Sequence, residues 1–245
     1  MAVIALAMWG LKRHYAMAEV GELCWILKPV ASLSTLMSGV RFEWEPGSGY
    51  LSRERLFVIA KPCAGVNFML AALGMVGFLL SERALSWRVS ARLAALSMGV
   101  GYAATVIANT IRIIVALWLA RHPVASDFWT AARVHRIEGI VVYFGVLVAL
   151  HLVVQRLAKT CERLMEAFHW GAVPLASYYF VTIAVPLVNG SADTSRVFLE
   201  HTAFVVLAPP TLVGTLTLLC FAWRSTARRA AARRAHLQPS AQRSA

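Results

Sequence analysis

Charged residues are scarce in this chain, and their scarcity decides its class. Only 15% of the 245 residues are charged, whereas 59% are hydrophobic and the mean hydropathy is +0.63. A soluble domain of this length would contain about 25% charged residues and 45–50% apolar ones. The composition therefore excludes an ordinary soluble domain and predicts an integral membrane protein.

Closely spaced metal-ligand and redox pairs are also missing. The four cysteines, Cys24, Cys63, Cys161 and Cys220, form no CxxC pair, which argues against a zinc ribbon and a thioredoxin motif. The chain has no HExxH sequence, and its seven histidines show no ligand spacing. We therefore expect no metal and no other cofactor. No small-residue cleavage site stands out near the N-terminus, so we expect no processed leader.

Long apolar windows are what the sequence has instead. Each is near the length of about 20 residues that a bilayer requires, and helices satisfy the backbone hydrogen bonds within lipid. With one short span before them, they predict an all-α integral membrane fold, a polytopic helical bundle of about six transmembrane helices. The windows are 66–80, 93–108 with apolar character resuming over 111–120, 137–154, 173–188 and 202–223.

The N-terminal quarter has a different character. Residues 2–11 are too few for a full span, and the window 23–37 is interrupted by Lys28 and Pro29. We predict one short span and an outer-face amphipathic helix within residues 1–40. In the segment 41–61, the turn sequence PGSG separates two stretches rich in aromatic and β-branched residues. That pattern predicts a small β-hairpin on the outer surface.

Basic residues between the windows indicate the orientation. If the spans alternate, the connectors 81–92 and 155–166 and the tail from residue 224 lie on one side, with 12 basic and 3 acidic residues. The opposite side has 9 basic and 7 acidic residues. The positive-inside rule then makes the first side cytoplasmic. Arginines in the tail are explained by anchoring at an anionic leaflet, so we expect no nucleic-acid partner.

This orientation brings polar residues from separate windows to one membrane depth. Cys63 begins its span on the outer side, Arg112 lies near the outer end of the next, and His135 begins the third. Asn109 precedes Arg112 by three residues and shares its helix face, which favours a polar cavity over a single arginine that snorkels to the headgroups. A histidine bonded to interfacial water is the simpler alternative for His135. Glu138 shares a face with His135.

These side chains form a sufficient set for acyl transfer from a peptide bond. A thiol with a pKa of about 8.5 needs assistance to act as a nucleophile at neutral pH. Pro62 suits a first helical turn, which would place Cys63 at the positive end of the helix and on one face with Asn67. His135 could accept the proton and return it to a leaving amine, and Arg112 could stabilise the oxyanion. Cys63 could equally be a small packing residue.

The fragments CAGVNF, NTIR and VHRIEGIVVYF, in this order, resemble the exosortase/archaeosortase family, most closely the exosortase K type. The resemblance covers roughly residues 20–155 and includes the lead-in GYLSRERLFVIAKP. It implies a membrane-embedded cysteine protease or transpeptidase, a hydrolase acting on peptide bonds. The chain is shorter than the larger exosortases, and its last helical pair lies outside the matched part.

The resemblance also implies roles, partners and a location. Cys63 would be the nucleophile, Arg112 the oxyanion-side residue and His135 the general acid/base, with Asn67, Asn109 and Glu138 in support. The substrates would be C-terminal sorting-signal helices of exported proteins, with water or an amine on a lipid or polysaccharide as acceptor. The protein would be a multi-pass component of the bacterial inner membrane, embedded in the lipid bilayer, with its active site on the outer side.

A domain division follows from these expectations. Residues 1–40 hold the short span and amphipathic helix, and 41–62 the outer loop. The catalytic transmembrane core is 63–155, followed by a C-terminal helical pair at 156–223 and a basic cytoplasmic tail at 224–245.

Two other classes of function remain open on the sequence alone. A non-enzymatic transporter or assembly subunit could line a polar pathway with Arg112 and His135. An acyltransferase could use the same thiol on a different substrate.

Overall fold

The computed structural model describes residues 2–54, 56–81, 86–122, 129–158, 169–188, 199–200, 202–215 and 218. The predicted basic tail at 224–245, Cys161, Cys220 and much of the connector 155–166 lie outside these residues. Most of the described chain is helical. The helices are α1 Ala2–Met17, α2 Cys24–Ser38, α3 Val66–Ser81, α4 Trp87–Arg121, α5 Ala131–Ala158, α6 His169–Tyr179, α7 Val185–Val188 and α8 Thr202–Thr215. A π-helical turn, Phe180–Ala184, joins α6 to α7.

Three helical segments are long and apolar enough to cross a membrane. They are Lys61–Leu80, Trp87–Arg121 and Arg133–Leu157, and they coincide with the predicted windows that begin at 66, 93 and 137. The windows at 173 and 202 correspond to shorter apolar helices, Ala172–Leu187 and Thr202–Thr215. The largely helical fold of the prediction is confirmed, and three helices could cross a membrane, which is compatible with a membrane protein. The expected count of about six spans exceeds the three such helices in the described part of the chain.

Helix α4 joins two stretches that the sequence analysis separated. Its 35 residues run without a break through Asn109 and Thr110, because the helix satisfies its own backbone hydrogen bonds. At about 1.5 Å per residue, a helix of this length exceeds the hydrocarbon thickness of about 30 Å. The helix begins after Ser86, whose side chain accepts a hydrogen bond from the Val89 backbone N–H.

Helix α1 packs antiparallel to α3 along a row of small residues. A Cβ built on Gly77 would meet Ile4, and one built on Gly74 would lie 3.3 Å from the Met8 Cε atom. Further along, the Lys12 ammonium donates to the Asn67 side-chain oxygen at 2.7 Å. Glycine on one helix lets the other approach closely. The apolar N-terminal stretch is therefore a 16-residue helix packed on the first long span.

Helix α2 continues through the proline that was expected to interrupt it. Pro29 lacks the N–H that would bond to the carbonyl of Trp25, four residues earlier. The Tyr102 hydroxyl of α4 donates to that carbonyl at 2.8 Å, and the two aromatic rings stack with centroids 5.9 Å apart. A tertiary hydrogen bond thus replaces the missing helical one, which explains how the helix tolerates Pro29.

The predicted outer hairpin is a three-stranded antiparallel sheet. Its strands are β1 Glu43–Glu45, β2 Gly49–Ser52 and β3 Phe57–Ile59, in the order β1-β2-β3. The PGSG turn joins β1 and β2, as predicted. The sequence analysis did not predict the turn between β2 and β3, because this turn contains neither glycine nor proline. Leu56 adopts a positive φ of 49° there, a conformation for which its sequence gives no signal.

The role of Tyr102 in α2 can be tested with a double-mutant cycle. Tyr102→Phe should lower the free energy of unfolding by about 1 kcal/mol, because the Trp25 carbonyl loses its donor. In a Pro29→Ala background, the new backbone N–H can bond to the same carbonyl, so the loss should shrink toward zero. Equilibrium unfolding in detergent micelles measures both values. An equal loss in both backgrounds would contradict this account of how α2 passes Pro29.

Candidate functional site

Cys63 lies in a single 3-10 turn, Lys61–Ala64, between β3 and α3. Its backbone N–H donates to the Ala60 carbonyl at 2.8 Å. Gly65 then adopts a left-handed conformation with φ of 63°, and α3 begins only at Val66. Pro62 lies in the first turn of this short 3-10 helix, as expected, but the expectation that the turn begins the long helix is wrong. The left-handed glycine separates the turn from the helix, so the thiol is not at the N-terminus of α3.

The left-handed Gly65 also changes the expected position of Asn67. Residues four apart share a face only within one continuous helix, and Gly65 interrupts the path from Cys63 to Asn67. The Asn67 side chain is exposed and accepts a hydrogen bond from Lys12 of α1. It lies outside the pocket that Cys63, Asn109, Arg112 and His135 line, as does Glu138.

Helix α4 lies directly against the Cys63 turn. A Cβ built on Gly65 would be 2.5 Å from the Nδ2 atom and 2.7 Å from the Oδ1 atom of Asn109. The Asn109 side chain is buried, with only 1% of the residue exposed. Gly65 is thus required both for its backbone conformation and for the space that the Asn109 amide occupies.

The end of α1 holds the other side of this turn. The Lys61 ammonium donates to the Ala18 carbonyl at 2.6 Å and lies 5.2 Å from the centroid of the Tyr15 ring. The Tyr15 hydroxyl donates to the Lys61 carbonyl at 3.4 Å. These contacts fix the residues immediately before Cys63 from outside the three long spans.

Arg112 is the centre of a polar network between α4 and α5. Its Nη2 atom lies 2.9 Å from His135 Nε2, and its Nη1 atom donates to the Tyr143 hydroxyl at 3.2 Å. That hydroxyl donates in turn to Asn109 Oδ1 at 2.6 Å. The guanidinium carbon also lies 5.4 Å from the centroid of the Tyr143 ring. A guanidinium only donates, so His135 Nε2 must be the acceptor.

Glu138 lies behind this network. Its Oε2 atom is 3.5 Å from His135 Nδ1 and 3.8 Å from Arg112 Nε. The Glu138 side chain is 4% exposed, whereas that of His135 is 48% exposed. Because Nε2 accepts from Arg112, a neutral imidazole carries its proton on Nδ1, the atom that faces the carboxylate. Glu138 therefore favours one tautomer of the histidine.

A glycine on α5 provides the space for the guanidinium. A Cβ built on Gly139 would lie 3.0 Å from Arg112 Nε. Arg112 accordingly lies against the backbone of α5, between His135 and Tyr143. Gly139 follows Glu138 directly, so the sequence HRIEG supplies both the polar contacts and the space they need.

Four of the predicted site residues line one small pocket. Its volume is about 10 Å³, near the smallest that holds one water molecule. The thiol of Cys63 makes no hydrogen bond to another described residue, so thiol and imidazole share the pocket without direct bonding. The lining residues are Phe57, Cys63, Asn109, Arg112, Ile113, Ala116 and His135.

The free thiols and the possible metal ligands indicate what chemistry the pocket could perform. Cys24 and Cys63 are both free thiols. Across the described ranges, no group of three or more His, Cys, Asp or Glu side chains is arranged to hold a metal ion. What the pocket combines is a thiol, an imidazole, a guanidinium and an amide. Thiol, imidazole and cation are the groups that covalent acyl transfer uses.

Tyr143 is the site residue that the sequence analysis missed. Its ring stacks on Phe68 of α3 with centroids 5.2 Å apart, and its hydroxyl links Arg112 to Asn109. Tyrosine is common in apolar helices, so the residue type alone did not mark Tyr143 as a site residue. Its spacing could have done so, because Tyr143 follows His135 by eight residues and Gly139 by four and therefore lies on the same helix face.

Gly65 offers a test of how tightly α4 supports the Cys63 turn. Gly65→Ala should lower the free energy of unfolding by about 1–3 kcal/mol more than Gly39→Ala, because the added methyl must displace the Asn109 amide. Gly39 is a matched control, since its φ is 71° but its Cβ would meet nothing within 4 Å. Equilibrium unfolding in detergent micelles measures both variants. Equal losses would show that only the backbone conformation matters at Gly65.

Comparison with known proteins adds no relative. No protein-family model matches this chain, and neither a curated protein nor a solved structure is significantly similar to it.

Proposed function

We propose that this chain is a membrane-embedded cysteine peptidase or transpeptidase of the exosortase type. It cleaves C-terminal sorting signals of exported proteins at the outer face of the bacterial inner membrane. The observation that carries this proposal is the shared pocket of Cys63, Arg112 and His135, with the guanidinium bonded to the imidazole. These residues come from three separate elements, so no single local motif explains their meeting.

In the proposed reaction, the Cys63 sulfur attacks the carbonyl carbon of the scissile peptide bond. His135 Nε2 takes the thiol proton, as in other cysteine–histidine pairs. Since Nε2 accepts from Arg112 in the structure, the imidazole must first turn from the guanidinium toward the thiol. The ring is half exposed, which leaves it room to turn, and such bonds commonly tighten only when substrate is present.

The same movement prepares the oxyanion site. Once the Arg112 Nη2 atom leaves His135, it can donate to the negative oxygen of the tetrahedral intermediate, while Tyr143 retains Nη1. Asn109 Nδ2 is a second candidate donor, because it is buried beside the Cys63 turn and has no hydrogen-bond partner. A buried unpaired donor is unfavourable in a resting protein, so a use during catalysis accounts for it.

Completion of the reaction follows from the same groups. Collapse of the intermediate breaks the C–N bond, and the leaving amine takes the proton from His135. The acyl group stays on the Cys63 sulfur as a thioester. Water or an acceptor amine then attacks the carbonyl carbon of that thioester, and its proton passes to His135. Collapse breaks the C–S bond, the product leaves, and the sulfur takes the proton back from His135 to regenerate the thiol. Glu138 Oε2 lies 3.5 Å from Nδ1 in the structure, close enough to accept the Nδ1 proton once the imidazole moves.

A substrate with its own transmembrane helix suits the position of the pocket. The pocket lies where α3 and α5 begin, at one end of two long apolar helices. A substrate helix that ends in arginines would stop with its cleavage motif just outside the outer leaflet. Entry from the side, between spans, would bring the scissile bond to the thiol without removing the helix from lipid.

The first experiment compares wild type, Cys63→Ala and Cys24→Ala in the native host. We expect Cys63→Ala to leave the C-terminal helices of a defined set of surface proteins uncleaved, because the nucleophile is gone. Proteomics of membrane and secreted fractions measures the retained tails. Cys24→Ala is the matched control, because it removes a free thiol that does not line the pocket.

The opposite result would favour a different class of protein. If no tail changes in Cys63→Ala, while Arg112→Ala or His135→Ala still gives a growth or surface phenotype, the cysteine serves packing. The polar network would then belong to a transport pathway or to an assembly subunit.

Arg112 can be tested by a substitution that keeps its charge. Arg112→Lys should slow cleavage of the accumulated tails by about 10²–10³-fold, because one ammonium cannot bond to Tyr143 and the oxyanion with the same geometry. Arg88→Lys is the control, since Arg88 contacts the Trp87 ring outside the pocket. Pulse-chase measurement of tail removal gives both rates. A wild-type rate in Arg112→Lys would show that the charge alone suffices.

A further inference from the structure

The outer sheet has an edge beside the pocket. Its strand order is β1-β2-β3, so β3 pairs with β2 on one side only, and within the described residues no strand pairs with its other side. The edge of a sheet presents N–H and C=O groups to which an extended chain can bond. The sheet therefore has a free edge at β3 as well as at β1.

β3 leads directly into the turn that carries the thiol. Ile59, its last residue, precedes Cys63 by four positions, and Ala60 between them is extended, with φ of −97° and ψ of −178°. The first residue of β3, Phe57, lines the pocket together with Cys63, Ala116 and His135. The strand and the nucleophile therefore border one space.

The two faces of β3 differ in burial: one face is covered by the rest of the protein, and the other is exposed. Ile59 is fully buried, and its partner strand contributes the buried Ser52 opposite Phe57. Val58 points to the other face and is 41% exposed. One face of the strand thus packs on the protein, and the other is exposed. A further strand would not cover either face but would pair in the plane of the sheet, along the edge of β3.

We propose that β3 binds the extended segment of the polypeptide substrate as a fourth strand and so brings the scissile bond to Cys63. This inference rests on the proposed peptidase function, because only a polypeptide substrate supplies the backbone groups that pair with a strand edge. Backbone hydrogen bonds would provide affinity, and alternate substrate side chains would point toward Phe57 and the pocket. The sheet is then the recognition element of the enzyme.

This arrangement explains why the outer loop is a sheet and not a disordered connector. Gly49 has φ of 116°, and a Cβ there would meet the Ile59 carbonyl oxygen. The start of β2 is thereby held close against the end of β3. Lys61 ties the next residues to the end of α1. The edge strand is fixed relative to the thiol from both sides, as a template for a substrate strand requires.

The test uses a photo-crosslinking amino acid, p-benzoylphenylalanine, placed singly at positions 58, 44 or 116 of the full-length Cys63→Ala protein in native membranes. Val58 lies on the proposed edge. Trp44 lies on the opposite edge strand and is 38% exposed, which closely matches Val58. Ala116 lines the pocket itself and reports whether a tail enters at all. Mass spectrometry locates each cross-linked residue in the captured proteins.

We expect position 58 to capture peptides from the segment just before a C-terminal transmembrane helix, at least tenfold more than position 44. Capture of such tails at 116 but not at 58, or equal capture at 58 and 44, would overturn the edge-strand proposal and leave the peptidase function standing. Capture of no tail at either 58 or 116 would overturn both. Each variant must first show a wild-type elution profile in detergent, so that misfolded protein is not compared.

Discussion

Arg112 keeps only 16% of its side chain exposed, and the groups around it are arranged to receive its hydrogen bonds. A cation in an apolar helix costs several kcal/mol unless it is paired and its donors are satisfied. Here His135 and Tyr143 accept from its two terminal nitrogens. The third nitrogen, Nε, has no hydrogen-bond partner and lies 3.8 Å from the Glu138 carboxyl group. Because these partners all lie on α5, the arginine fixes how α4 and α5 face each other.

The polar side chains of α4 also need space at the backbones of the neighbouring elements on either side. At Gly65 and at Gly139, the space that a Cβ would fill is occupied by a polar side chain of α4, Asn109 in one case and Arg112 in the other. The two polar residues are three positions apart, so they point to neighbouring elements from one helix face. Helix α4 thus connects the Cys63 turn to α5 through two contacts, each of which needs a glycine.

The elements outside the long spans complete the site and do not merely surround it. Phe57 of β3 forms part of the pocket wall, and Lys61 joins the thiol-bearing turn to the end of α1. Helix α2 is held to α4 through the Trp25 carbonyl that Pro29 leaves without a helical donor. A proline that would end most helices therefore becomes a fixed attachment point between two helices.

The sequence by itself determined two things: where the long apolar helices lie, and which polar residues are unusual within them. Long apolar runs require helices in lipid, so α3, α4 and α5 could be located within a few residues. Polar residues are costly in such runs, so Asn109, Arg112, His135 and Glu138 were conspicuous, and Cys63 was noticed for its position at the border of a run.

Only the tertiary structure decided the rest, because those features depend on contacts between residues far apart. The left-handed Gly65 takes Cys63 out of the long helix and turns Asn67 toward α1. Tyr143 became a site residue only because α5 lies against Arg112. The third strand depends on its pairing with β2, since its turn has no glycine or proline to announce it. The local sequence shows which polar groups are costly to bury, whereas the packing of the helices decides which group each of them contacts.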